Sequence, residues 1–151
     1  MQVDQSQIEQ MAGELAKKTR PGDVILLYGT LGMGKTVFSR AFIRSLTTAE
    51  EEVPSPTFTL VQLYDADKGT IWHFDLYRLQ SPEEIYEIGL EEALIDGISL
   101  VEWPEKADKM FPKNKLEIHI EHGESPDLRN ISFIPVGMDW TTRLKDLSWI
   151  E

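Results

Sequence analysis

The sequence predicts an α/β fold built around a mixed β-sheet. Three observations carry this reading. A Gly-rich segment, residues 29–36, stands between a short apolar run and an amphipathic stretch. The first half of the chain alternates helical and strand periodicity. The second half ends in two strand-like runs joined by a polar turn, and such a pair favours antiparallel pairing.

Taken in order, residues 5–19 read as a helix, because Ile8, Met11, Ala12, Leu15 and Ala16 recur at helical spacing. Asp4 is its expected N-cap and Arg20-Pro21-Gly22 its stop. Residues 23–28 form an apolar run suited to a strand buried on both faces. Residues 35–46 place Val37, Phe38, Ala41, Phe42 and Leu46 on one side of a helix. Residues 47–57 read as an exposed loop. Residues 58–64 and 70–77 are rich in aromatic and β-branched residues and predict a hairpin. Ser81-Pro82-Glu83-Glu84 signals a helix start, and short helices are expected to about residue 96. Strands are expected at 98–103, 116–122 and 129–136, followed by a short helical tail.

The 151 residues suit one domain, residues 1–151, and no repeat or composition break divides them. Hydrophobic residues make up 41% and charged residues 27%, which argues against wholesale disorder. The absence of cysteine excludes disulfides, thiolate catalysis and cysteine-rich zinc sites. A net charge of −11 opposes tight nucleic-acid binding by the isolated chain. The sequence shows neither a secretory signal nor an apolar run of membrane-spanning length, so a cytoplasmic protein without membrane contact is expected.

Gly29-Thr30-Leu31-Gly32-Met33-Gly34-Lys35-Thr36 matches the phosphate-binding pattern G-x-x-x-x-G-K-[ST]. It follows a predicted strand and opens a predicted helix, the context that the chemistry requires. Glycines let successive backbone N–H groups turn toward phosphate oxygens, and the helix N-terminus adds partial positive charge. Lys35 is placed to reach the β- and γ-phosphates, and the Thr36 hydroxyl to ligate Mg²⁺.

Such an enzyme needs an acid near the metal, usually at the end of a neighbouring strand. Glu102 and Asp75 both end strand-like runs. One would hold the metal and the other would orient water or act as a base. Spacing alone does not assign the two roles. Thr57 lies in Pro54-Ser55-Pro56-Thr57, where a stiffened hydroxyl suits either a γ-phosphate-responsive switch or an ordinary proline turn. Trp103 reads as core, as a lid or as a partner anchor, core being the default. His73 shares a strand face with Asp75 and is more often a structural histidine than a catalytic one. Arg78 suits either charge neutralisation at phosphate or a surface ion pair. Asn114-Lys115-Leu116-Glu117 only faintly matches a guanine-reading motif, so ATP is favoured over GTP. Residues 81–108 carry nine acids against Lys106 alone, a solvated face or a docking surface for a basic partner.

Four segments occur together and in order: Leu31-Gly32-Met33-Gly34-Lys35-Thr36, Val53-Pro54-Ser55-Pro56-Thr57-Phe58-Thr59-Leu60-Val61, His73-Phe74-Asp75-Leu76-Tyr77-Arg78-Leu79 and Leu100-Val101-Glu102-Trp103-Pro104. Across residues 5–136 the chain resembles the TsaE family, the small ATPases of bacterial tRNA threonylcarbamoyladenosine synthesis. The resemblance implies a P-loop NTPase-like three-layer fold with a mixed central sheet. It implies a weak Mg²⁺-dependent ATPase that supports turnover of the TsaD–TsaB complex, which modifies adenosine 37 of ANN-decoding tRNAs. Carried over, Gly29, Thr30, Leu31, Gly32, Met33, Gly34, Lys35, Thr36 and Val37 bind ATP or ADP, with Gln5 and Arg129 near the base. Thr36 and Glu102 hold Mg²⁺, Thr57 is the switch threonine, Asp75 is the hydrolytic residue and Trp103 a functional neighbour. Met33, Val37 and Thr30 depart mildly from the family pattern. Two other classes compete: a small-molecule kinase, and a nucleotide-gated binding module with negligible hydrolysis.

Overall fold

The computed structural model describes residues 1–147 and 149. Its element order is β1 (Gln2–Val3), α1 (Gln5–Lys18), β2 (Val24–Tyr28), α2 (Lys35–Leu46), β3 (Val61–Ala66), β4 (Gly69–Asp75), α3 (Glu84–Glu87), α4 (Leu90–Asp96) and β5 (Ile98–Glu102). A 3₁₀ segment (Pro104–Met110), β6 (Lys115–His122), β7 (Arg129–Val136) and α5 (Met138–Leu144) follow. The seven strands form one sheet in the order β1-β7-β6-β2-β5-β4-β3. The central strands β6, β2, β5 and β4 run parallel; β3 and β7 flank them antiparallel, and β1 pairs antiparallel with β7 at the edge. The α/β class with a mixed sheet is therefore as expected.

Burial explains the layering. In β2, Ile25 and Leu27 join the cluster under α1 and α2, while Val24 and Leu26 join the cluster under α3, α4 and the 3₁₀ segment. Alternate side chains feed opposite faces, so the strand reads as continuously apolar. Phe38 and Phe42, one turn apart on α2, are fully buried. Each contributes on the order of 2–3 kcal/mol by leaving water.

The start of α1 is built locally. Asp4 Oδ1 accepts the Gln7 N–H at 2.8 Å, and Gln7 Oε1 accepts the Asp4 N–H at 2.9 Å. This reciprocal box satisfies two donors that a helix start leaves free. At its far end the chain is tied down by charge. Arg143 on α5 donates to both carboxylate oxygens of Asp23, at 2.6 and 2.7 Å, and to Lys18 O at 2.9 Å. Asp23→Ala would leave that nearly buried guanidinium without its main partner. The expected loss is about 3 kcal/mol of stability, measured by urea denaturation.

Two local expectations shift. β3 begins at Val61 rather than 58, because Leu60 N donates to Pro56 O at 2.7 Å and Leu60 takes a φ of 70°. Phe58, which made the segment look strand-like, is 83% exposed. The helix after Ser81 begins at Glu84, and no Ser81 side chain caps it. Glu84 instead reaches back to accept the N–H groups of Gln80 and Ser81, at 2.9 and 2.7 Å. Among the described residues no helix is long and apolar enough to cross a membrane.

Candidate nucleotide site

The Gly-rich loop connects the C-terminal end of β2 to α2, the place where open α/β sheets bind ligands. Gly34 takes a φ of 106° immediately before α2. Gly29 is required by space as well as conformation: a Cβ there would lie 2.5 Å from Ile120 O. Only a residue without Cβ lets β6 pass this close to the loop.

β4, β5 and β2 lie side by side, with Asp75 in register with Glu102 and Glu102 with Leu27. The register brings both acids to the strand ends beside the loop. Glu102 is 2% exposed and Asp75 3%. Buried carboxylates need hydrogen-bond donors, and each has its own set. Glu102 Oε1 accepts the Thr36 hydroxyl at 3.1 Å; Oε2 accepts the Ser39 hydroxyl at 3.1 Å and lies 2.7 Å from His73 Nε2. Asp75 Oδ2 accepts the Thr57 hydroxyl at 3.0 Å, and Oδ1 accepts the Tyr77 N–H at 3.0 Å. Thr57 Oγ1 is in turn 2.8 Å from Ser55 Oγ. Burial, more than any neighbour, pushes the Asp75 carboxyl above the usual carboxylate range; Glu102 adds to the shift, while Tyr77, Thr57 and His73 oppose it.

Lys35 Nζ donates to Gly29 O at 2.5 Å and lies 3.2 Å from the centroid of the Trp103 ring. Trp103 stacks on Tyr77 with centroids 4.9 Å apart. Trp103 is partly buried: it packs against the cluster under α3, α4 and the 3₁₀ segment and also covers the lysine. Its φ of 58° throws the ring over the loop, and among the described residues only Leu60 shares a positive φ without being glycine. Both strained residues adjoin the site. Arg78 lies 4.8 Å from the Phe58 ring centroid, outside the carboxylate clusters.

Two concavities meet at the loop. One, of about 370 Å³, is lined by Lys35, Thr36, Thr57, Asp75, Glu102 and Trp103, among others. The other, of about 440 Å³, is lined by Gln5, Ile8, Met33 and Arg129 and others. Gly32, Gly34 and Val37 border both. Gly29 and Thr30 follow the end of β2 and line neither concavity, whereas Leu31, 75% exposed, lines the carboxylate pocket.

Residues 2–131 match the family described as threonylcarbamoyl adenosine biosynthesis protein TsaE. The chain belongs to the TsaE family. The tRNA threonylcarbamoyladenosine biosynthesis protein TsaE of Rickettsia conorii is 43% identical over 117 residues, 78% of this chain and 67% of its own. Its Bacillus subtilis counterpart is 33% identical over 147 residues, 97% of this chain and 90% of its own. The crystal structure of Bacillus subtilis YdiB superimposes with a TM-score of 0.77 at 28% identity, covering 98% of this chain and 93% of that one. The TsaE fold seen here is consistent with the P-loop NTPase-like class.

Ser39 and the Glu102 contact of His73 escaped the sequence reading. Ser39 is three residues past Thr36 on α2, so helical spacing places both hydroxyls on the face toward β5. His73 reaches Glu102 only because β4 and β5 are neighbours, a pairing that no local pattern announces.

Proposed function

We propose that this TsaE protein binds Mg-ATP across the loop and hydrolyses it slowly, in the biosynthesis of threonylcarbamoyladenosine in tRNA. Its partner in this reading is the TsaD–TsaB complex, whose turnover it supports. Family membership supports the pathway. The observation that carries the nucleotide reading is one pocket holding Lys35, Thr36, Thr57, Asp75 and Glu102 at the mouth of a phosphate-binding loop.

The residues divide the work. Backbone N–H groups of the loop and the α2 N-terminus receive phosphate oxygens. Lys35 leaves Gly29 O and the Trp103 ring to pair with them. The Thr36 hydroxyl and the Glu102 carboxylate are hard oxygen donors that already touch, which fits Mg²⁺. Among the described residues no cluster of three His, Cys, Asp or Glu forms a dedicated metal cage. The ion in this reading is held jointly by protein, phosphates and water. When bound, Mg²⁺ would neutralise charge on the phosphates. Asp75 orients the attacking water and accepts its proton as the new P–O bond forms and ADP departs. Burial makes that carboxylate a better base than an exposed one. Thr57, held on Asp75, is the hydroxyl placed to follow the γ-phosphate. In the adjoining concavity, Ile8, Met33 and Val37 offer apolar surface to a base, and Gln5 and Arg129 offer polar groups at its edge. A kinase would be expected to set an arginine against the γ-phosphate, and no arginine lines the carboxylate pocket among the described residues.

Phosphate release from Mg-ATP by the purified chain, alone and with TsaD–TsaB, tests the reading. Slow turnover raised by the partners is expected. Bound ATP with no turnover in any mixture would replace the ATPase by a nucleotide-gated binding module.

A further inference from the structure

We propose that His73, seconded by Ser39, is a positioning residue that turns the Glu102 carboxylate so that one oxygen is kept for the cation. The inference rests on the Mg-ATP reading above and assigns a role that reading leaves open. The geometry is asymmetric. Oε2 receives two contacts, from His73 Nε2 at 2.7 Å and the Ser39 hydroxyl at 3.1 Å. Among the described residues, Oε1 receives only the Thr36 hydroxyl, at 3.1 Å, on the side of the loop mouth. His73 and Ser39 are both fully buried, and Glu102 nearly so.

A carboxylate held by donors on one oxygen cannot rotate freely about its terminal torsion. Two donors on Oε2 from two different elements, β4 and α2, fix the plane of the group and leave Oε1 beside Thr36. If the donors served only to satisfy a buried charge, no division between the oxygens would be needed. The ring's other nitrogen fits the same account. Among the described residues, Nδ1 is buried with no hydrogen-bond partner. A proton on Nε2 leaves only a lone pair unmatched there, which costs less than an unmatched N–H. The ring then donates to Glu102, as an outer partner of a metal-ligating carboxylate does. β4 thus carries two devices on one face: His73 aligns Glu102, and two residues later Asp75 holds Thr57.

The experiment is equilibrium binding of ATP to the full chain as Mg²⁺ is varied, read by competition with a fluorescent ATP analogue and needing no turnover. His73→Leu keeps apolar bulk and removes the donor. It is expected to raise the Mg²⁺ concentration for half-saturation by about 10–100-fold. ADP binding in EDTA should stay within about twofold, because neither Glu102 oxygen is used there. His73→Gln, which restores an N–H at similar reach, should recover most of the Mg²⁺ response. Ser39→Ala should shift it in the same direction by less, and carries the test if His73→Leu does not fold. An unchanged Mg²⁺ requirement in folded variants would overturn the proposal. So would a parallel loss of ADP binding in EDTA, which marks general disruption of the site. ATP binding indifferent to Mg²⁺ in the unsubstituted chain would overturn the Mg-ATP reading itself, and is seen before any variant is made.

Discussion

Asp75→Asn is expected to lower phosphate release from Mg-ATP by about 10²–10⁴-fold while ATP still binds. The amide keeps the carboxylate's shape. Its oxygen still accepts the Tyr77 N–H, and its NH₂ faces Thr57, whose hydroxyl turns to Ser55. What disappears is the capacity to accept a proton. The substitution also separates function from stability. Burial raises the folded pKa of Asp75 above its unfolded value. The native state therefore binds this proton more readily than the unfolded chain. Stability falls as pH rises from the unfolded value through the folded one, and the full cost is present above the folded value. Removing the charge is thus expected to leave thermal stability at neutral pH equal to or above that of the parent. Phosphate release at saturating nucleotide and a thermal melt check both halves. Loss of ATP binding in step with turnover would make Asp75 a binding residue instead.

Lys35→Ala is expected to weaken ATP affinity by about 10–100-fold, the scale of a hydrogen bond to a charged group. The lysine is 5% exposed. Burial pulls its pKa down, and Glu102, Glu105, Asp75 and Glu121 act against that pull. The acidic surroundings make the lysine the main local counter-charge to the phosphates. Without it, no cationic side chain among the described residues lines the pocket that holds Asp75 and Glu102. Trp103 also loses the cation lying on its ring, so its fluorescence should lose its response to residual nucleotide. Competition binding provides the measurement, and unchanged affinity would remove Lys35 from the phosphate site.

Much of this architecture was legible because its signals are local. The loop spacing, the helix from Lys35 to Leu46 and the Asp4 cap each depend on residues within a few positions of one another. The start of β3 was misread because Phe58 and its neighbours have strand-like chemistry, whereas the hydrogen bond from Leu60 to Pro56 folds them into a turn. β1 went unread because two residues carry no period; it exists through pairing with β7. At the site, the sequence named Asp75, Thr57 and Glu102 but could not sort them into two clusters. That division follows from β4 lying beside β5 and from α2 turning Thr36 and Ser39 toward Glu102. Trp103 likewise has an apolar ring that suits a core, and only the backbone turn after Glu102 swings it onto Lys35.

The central claim is that the loop, Lys35 and the Thr36–Glu102 pair form one Mg-ATP site. Calorimetric titration of the purified chain with ATP, with and without Mg²⁺, tests it most directly. The account predicts one nucleotide per chain, tighter binding with Mg²⁺, and loss of that Mg²⁺ advantage in Glu102→Ala. No binding at millimolar ATP, or binding that ignores both Mg²⁺ and Glu102→Ala, would contradict it.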